Sequence, residues 1–202
     1  MPTNYRLPMS IIAIVALEAL IVLWFTFTID ESLFFEKCAR NSGRVSAGIN
    51  LTLLLFIGRF GLKKIYHESS KREAFHILVV MYAVNHLIHG YFIYQNFTNK
   101  SYDLAFMDPL HGFITFVLVL LFPLFTWKVK QLSKLTYTII ILHFFNTTYF
   151  LILTFYGRIK PERPEYMHQA GILIMIGALL LILFRIYKEI IKQDAALHEK
   201  QY

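Results

Sequence analysis

Cysteine is almost absent from this sequence, and charged residues are scarce. Cys38 is the only cysteine in 202 residues, which excludes an internal disulfide and a metal site made of cysteine thiolates. We expect it to be a loop thiol without a special role. Charged residues make up 16% of the chain, whereas a soluble domain carries about 25%. The shortage of charge therefore argues against a soluble protein.

Hydrophobic residues make up 56% of the chain and lie in long blocks. A run of roughly 18 or more apolar residues is long enough to cross about 30 Å of hydrocarbon. Six such runs leave no room for a soluble domain. The sequence therefore predicts an all-α integral membrane protein, a six-transmembrane-helix bundle formed by one domain over residues 1–202, with a short C-terminal tail. The predicted helices are at about 8–28, 45–65, 74–95, 109–127, 135–156 and 167–187.

The net charge of +7 is distributed unevenly over the segments between these helices. Cytoplasmic loops of membrane proteins carry an excess of Lys and Arg. If the N-terminus is inside, the inner segments hold 13 of the 20 basic residues, so both termini are predicted to be cytoplasmic. We expect a multi-pass protein of the plasma (inner) membrane whose basic side chains contact anionic lipid head groups. No concentrated basic stripe indicates nucleic acid as a partner.

Ionisable side chains interrupt the apolar blocks, and six of the eight histidines lie in or at the edge of a predicted membrane helix. A charged group at the middle of a membrane helix costs at least about 2.5 kcal/mol, so such groups normally face the interior of the bundle. Imidazole binds transition metals and haem iron, and it relays protons. Glu18, in the first helix, is expected to be protonated, paired with a histidine or part of a proton path.

Two pairs of polar side chains have the i,i+3 spacing that places both members on one helix face. His86 and His89 form one pair in the third helix, and Asp108 and His111 form the other at the start of the fourth. At a rise of about 1.5 Å per residue, these side chains share one layer in the outer leaflet with His168. Such a set can form the first shell of a zinc ion. Asp108 also fits a helix N-cap, and histidines near helix ends also serve as interfacial caps.

Three stretches resemble a known family. Residues 70–89, SKREAFHILVVMYAVNHLIH, resemble the third helix of ferric-reductase-like transmembrane proteins, in which a basic pair precedes a helix with a Tyr/Phe-Ala-x-x-His-type motif. Residues 43–48, GRVSAG, and residues 123–126, PLFT, resemble the same family. The resemblance covers roughly residues 40–150.

The resemblance implies a six-helix membrane cytochrome that holds b-type haem between histidines of helices 3 and 5 and passes electrons across the membrane. His86 or His89 would be the ligand from helix 3, and His143 the ligand from helix 5. Helix 5 has one histidine where family members often have a pair, and His143 lies about 10 Å below the helix 3 pair in depth. A pairing of His89 with His111 or His168 therefore stays open. No flavin or nicotinamide motif follows the membrane helices, so the electron donor would be a quinol or a partner protein.

Three functions follow from these patterns. The first is a small b-type cytochrome that is an oxidoreductase component, with Glu18 handling protons. The second is a zinc-dependent intramembrane enzyme that activates water for attack on a lipid-borne substrate. The third is a non-catalytic membrane subunit whose histidines stabilise the bundle. The zinc ligands would be drawn from His86, His89, Asp108, His111 and His168.

Overall fold

The computed structural model describes residues 5–100, 109–159 and 166–198. Helices make up 93% of them, and none of them is in a strand. The prediction of an all-α protein is therefore confirmed. The helices are α1 (Arg6–Thr28), α2 (Glu31–Phe60), α3 (Leu62–His67), α4 (Ser69–Lys100), α5 (Pro109–Lys128), α6 (Lys134–Tyr156) and α7 (Tyr166–His198).

Five of these helices are long and apolar enough to cross a membrane, namely α1, α4, α5, α6 and α7. The chain is a multi-pass integral membrane protein on this evidence. The helix α2 is not among the five, because polar Ser46 and Asn50 interrupt the apolar stretch that lies between Arg44 and Arg59. The sixth predicted span therefore stays a prediction.

The start of α2 differs from the sequence prediction. The helix begins at Glu31, well before the predicted start at residue 45, because its first half is held by polar contacts rather than by an apolar run. Arg40 donates to the Glu36 carboxylate at 3.2 Å, one turn earlier. Cys38, expected in a loop, is fully buried in this helix against Ala39 and Phe92. The expectation of a loop thiol was therefore wrong.

Gly61 ends α2 and separates it from α3, where the sequence predicts one continuous helix. Its φ of +75° and ψ of 146° belong to a region that only glycine occupies without strain. Arg185 donates from Nη2 to the backbone oxygen of Phe60 at 2.9 Å, so an otherwise unpaired carbonyl at the helix end is satisfied. Arg185 also pairs through Nε with Glu189 at 3.2 Å. The Tyr137 hydroxyl donates to the second carboxylate oxygen of Glu189 at 3.3 Å.

The chain forms two compact units. The first comprises Met1–Asn50 and Glu73–Lys130, and the second comprises Leu51–Arg72 and Gln131–Tyr202. The first unit therefore holds α1, the first part of α2, most of α4 and α5. The second holds the end of α2, α3, the start of α4, α6 and α7.

The helix α1 packs through one narrow stripe. Ile14 and Glu18 are the only buried residues of this helix. The remaining surface is apolar and exposed, as at Phe27, which is 82% exposed. This surface suits contact with lipid. The stripe continues through the half-buried residues Leu7, Ile11, Ile21 and Phe25. Its members are separated alternately by four and by three residues, which keeps them on one helix face.

Candidate functional site

The first unit buries the carboxyl of Glu18 among hydroxyl and amide groups of two other helices. Ser42 on α2 donates to Oε1 of Glu18 at 3.0 Å, and the amide nitrogen of Asn85 on α4 donates to the same oxygen. Glu18 is 2% exposed, and its Oε2 has no hydrogen-bond partner among the described residues. An ionised carboxylate in hydrocarbon needs a cation, and none contacts it in the described part of the chain. The neutral acid is the form that this environment suits.

A second serine connects the same amide with a histidine. Ser46 lies one turn after Ser42 on α2, so both hydroxyls face the same side of the helix. Its hydroxyl donates to Oδ1 of Asn85 at 2.9 Å and lies 3.5 Å from Nδ1 of His86. Glu18, Asn85, Ser46 and His86 therefore form one continuous series of polar contacts across three helices.

His86 is held between aromatic rings. It is 5% exposed, and its ring centroid lies 5.5 Å from that of Tyr82 and 5.4 Å from that of Phe116 on α5. The His89 ring is 5.9 Å away. A side chain at Gly43 would place its Cβ 2.9 Å from Cε1 of His89, so this glycine leaves the room that His89 occupies. Residues 43–48 of α2 therefore let His89 of α4 approach closely at Gly43 and provide the Ser46 hydroxyl as a partner for α4.

His86 and His89 lie side by side on one helix, as their i,i+3 spacing predicts. A haem held by two histidines would therefore need a second imidazole from another helix. A buried imidazole with an oxygen near Nδ1 fits the chemistry of such a ligand, because a partner at Nδ1 orients the ring and leaves Nε2 for the metal. The donor set of the first unit therefore fits one histidine ligand of a haem, and His86, whose Nδ1 has the oxygen partner, would be that ligand.

His76 has a different role near the start of α4. Its Nδ1 lies 3.0 Å from the hydroxyl of Thr126, and that hydroxyl donates to the carbonyl of Pro123 at 3.1 Å. The Trp127 ring packs on the imidazole at 5.5 Å. These contacts connect α4 to the last turn of α5. This turn follows Pro123, whose backbone nitrogen cannot donate a hydrogen bond.

The second unit holds two of the predicted site residues. His143 on α6 is 7% exposed, its ring packs on Phe144 at 5.4 Å, and the Thr147 hydroxyl donates to its carbonyl at 3.1 Å. His168, in the first turn of α7, is 3% exposed and packs on Phe155 at 5.4 Å. The ring of His168 is therefore enclosed by protein, and its role as a metal ligand or as an interfacial cap stays a prediction.

The predicted zinc set is not assembled in the part of the chain that the structure describes. No group of three or more histidine, cysteine or acidic side chains in this part could hold a metal ion. Asp108 lies outside the described residues, and His111 is half-buried in the first turn of α5. Of the five predicted zinc ligands, His86 and His89 lie in ring contact, with their centroids 5.9 Å apart.

Sequence reasoning found Glu18 and the histidines but missed the serines that connect them. The signal was present, since Ser42, Ser46 and Asn50 recur every fourth residue and are each at most 1% exposed. Their short side chains did not stand out beside ionisable groups. Comparison with protein-family models, with curated proteins and with solved structures finds no match.

Proposed function

We propose that this chain is a small membrane cytochrome that holds b-type haem through histidine and transfers electrons as an oxidoreductase component. The observation that supports the proposal is the setting of His86, a buried imidazole with aromatic rings on its sides and a hydroxyl at Nδ1. When bound, haem would supply one-electron chemistry.

His86 is the preferred ligand on α4. It is more buried than its neighbour His89, and its Nδ1 faces an oxygen, which favours coordination through Nε2. The resemblance to ferric-reductase-like proteins implies His143 as the second ligand. Tyr82 and Phe116 fix the plane of the His86 ring by packing on it. The electron donor would be a quinol or a partner protein.

The first experiment is an absorption spectrum of the full-length protein in detergent, oxidised and dithionite-reduced, with metal analysis of the same sample. We expect a Soret band with α and β bands on reduction, and loss of these bands in His86→Ala. His76→Ala is the matched control, because this histidine lies on the same helix but bonds Thr126, and it should keep the haem.

Two results would overturn the proposal. A colourless protein with stoichiometric zinc after haem-replete expression would favour the zinc-dependent enzyme. A colourless protein without metal would leave the histidines with a structural or proton-handling role.

The proposal includes six spans of the plasma (inner) membrane, with both termini in the cytoplasm. The helix α2 has 30 residues, which gives about 45 Å at 1.5 Å per residue. Arg44 and Arg59 flank its apolar stretch and can extend their head groups toward the interfaces. A fluorescent-protein fusion at the C-terminus should be bright, and an alkaline-phosphatase fusion at the same place should be inactive. The reverse pattern would place the C-terminus outside and refute this topology.

A further inference from the structure

The hydrogen bonds between Glu18 and His86 all run in one direction. The amide nitrogen of Asn85 donates to Glu18, so the amide oxygen is the atom that faces Ser46. An amide oxygen only accepts, and a serine hydroxyl has a single hydrogen. The Ser46 hydrogen is therefore used on Asn85.

This direction decides which nitrogen of His86 carries hydrogen. With its hydrogen used, Ser46 offers only lone pairs to Nδ1 of His86, which lies 3.5 Å away. The contact is favourable only if Nδ1 carries the hydrogen, since a neutral imidazole has one donor nitrogen and one acceptor nitrogen. The acceptor lone pair then lies on Nε2.

We infer that Glu18, Asn85 and Ser46 are positioning residues that hold His86 as the Nδ1–H tautomer and make Nε2 its reactive nitrogen. The inference deepens the proposed function and rests on it for the identity of the ligand bound by Nε2. Glu18 acts through two intermediates. Its Oε1 keeps the Asn85 amide in one orientation, and without that acceptor the amide could turn and offer its nitrogen to Ser46.

The Glu18 end of this series of hydrogen bonds is held by buried groups. Oε1 of Glu18 accepts from both Ser42 and Asn85, and all three residues are at most 2% exposed. Because water does not reach these groups, the bonds lack competing partners. With the acid hydrogen on Oε2, Oε1 only accepts, and a reversed amide would turn a second acceptor oxygen toward it. The orientation of the amide is therefore fixed by the packing of α1, α2 and α4.

The test is ¹⁵N NMR of the imidazole nitrogens in the full-length protein prepared without haem. We expect His86 of the unaltered protein to show hydrogen on Nδ1. In Ser46→Ala the population ratio of the two tautomers should fall roughly two- to tenfold, the range of one neutral hydrogen bond. Ser42→Ala is the matched control on the same helix, because it removes a bond to Glu18 but none to His86. His76 is an internal reference, since its Nδ1 faces Thr126.

A second pair of variants tests the Glu18 end of this series without touching the serines. Glu18→Leu removes the acceptor for Asn85 and should shift the His86 tautomer ratio as Ser46→Ala does. Glu18→Gln keeps a carbonyl oxygen there and should restore the original ratio. Hydrogen on Nε2 in the unaltered protein, or an unchanged ratio in both Ser46→Ala and Glu18→Leu, would overturn the inference.

The haem-loaded protein gives an independent readout. A hydrogen bond from Nδ1 makes a ligating imidazole more electron-donating, so Ser46→Ala should raise the midpoint potential of the haem while Ser42→Ala leaves it unchanged. Absence of a Soret band would refute the proposed function but not the tautomer assignment, which the haem-free sample tests. A normal Soret band with an unchanged potential in Ser46→Ala would refute the positioning role alone.

Discussion

Each of the two units of this protein contains a polar cluster, and the clusters differ in burial, in charge and in place. In the first unit, Glu18 lies in the middle of an apolar helix and contacts only neutral groups. In the second unit, Arg185 pairs with Glu189 beside the end of α2, where the two side chains are 34% and 12% exposed. Full charges are kept where polar surroundings reach them, and the enclosed cluster is built from neutral hydrogen-bonding groups, because an unpaired charge in hydrocarbon is costly.

The clusters also differ in what fixes them. Arg185 binds the terminal carbonyl of α2, and Gly61 makes that approach feasible, since an added Cβ would lie 2.6 Å from its Nε. The cluster in the second unit therefore depends on one backbone conformation. The cluster in the first unit depends on Asn85, whose two amide ends bond Glu18 and Ser46.

The largest effect should come from Gly61→Ala. The positive φ of this residue costs an alanine about 1–3 kcal/mol, and the methyl group also displaces Arg185. We expect thermal unfolding in detergent to show a destabilisation of roughly 3 kcal/mol or more. Gly177→Ala is the control, because an added Cβ there meets nothing within 4 Å and a helix gains about 0.5–1 kcal/mol from alanine. Equal melting temperatures for the two variants would refute the assigned role of Gly61.

The next largest losses of stability should come from replacing the central residue of each cluster, Asn85 or Arg185. Asn85→Leu should cost about 2–3 kcal/mol, because it removes a donor to the buried Glu18 carboxyl and the acceptor of the buried Ser46 hydroxyl. Arg185→Met should cost about 1–2 kcal/mol, since the Glu189 carboxylate keeps Tyr137 and is partly solvated. Chemical denaturation in detergent measures both losses. A larger loss for Arg185→Met would reverse the conclusion that the enclosed neutral cluster is the more demanding one.

The smallest effect concerns Glu68, which precedes α4 outside the membrane spans. A hydrogen bond from Lys71 holds the pKa of the Glu68 carboxyl below its usual value of 4.5. A lowered pKa in the folded state contributes stability above pH 4.5 that is lost as the pH falls through the folded value. The melting temperature of Glu68→Gln should therefore be slightly below that of the unaltered protein at neutral pH. The difference should shrink below pH 4.5, and a constant difference would contradict the ion pair.

Composition and periodicity were enough to predict most of the helical framework. The predicted helix at 109–127 corresponds to Pro109–Lys128, and the one at 135–156 to Lys134–Tyr156, because apolar blocks bounded by polar loops determine where membrane helices can form. The same reasoning failed at the start of α2. There charged residues continue the helix, and an apolar count does not register contacts such as Arg40 with Glu36.

The sequence by itself determined that Glu18, His86 and His89 lie within apolar helices, because burial of ionisable groups follows from the length and composition of each block. It also determined that the two histidines share a face, since 3.6 residues complete a helical turn. Only the tertiary structure decided that Ser42, Ser46 and Asn85 bond the carboxyl and the imidazole. Which residues of two helices meet depends on how each helix is rotated about its axis and how deep it lies. The packing of all the side chains sets both quantities, and the periodicity of a single helix does not reveal them.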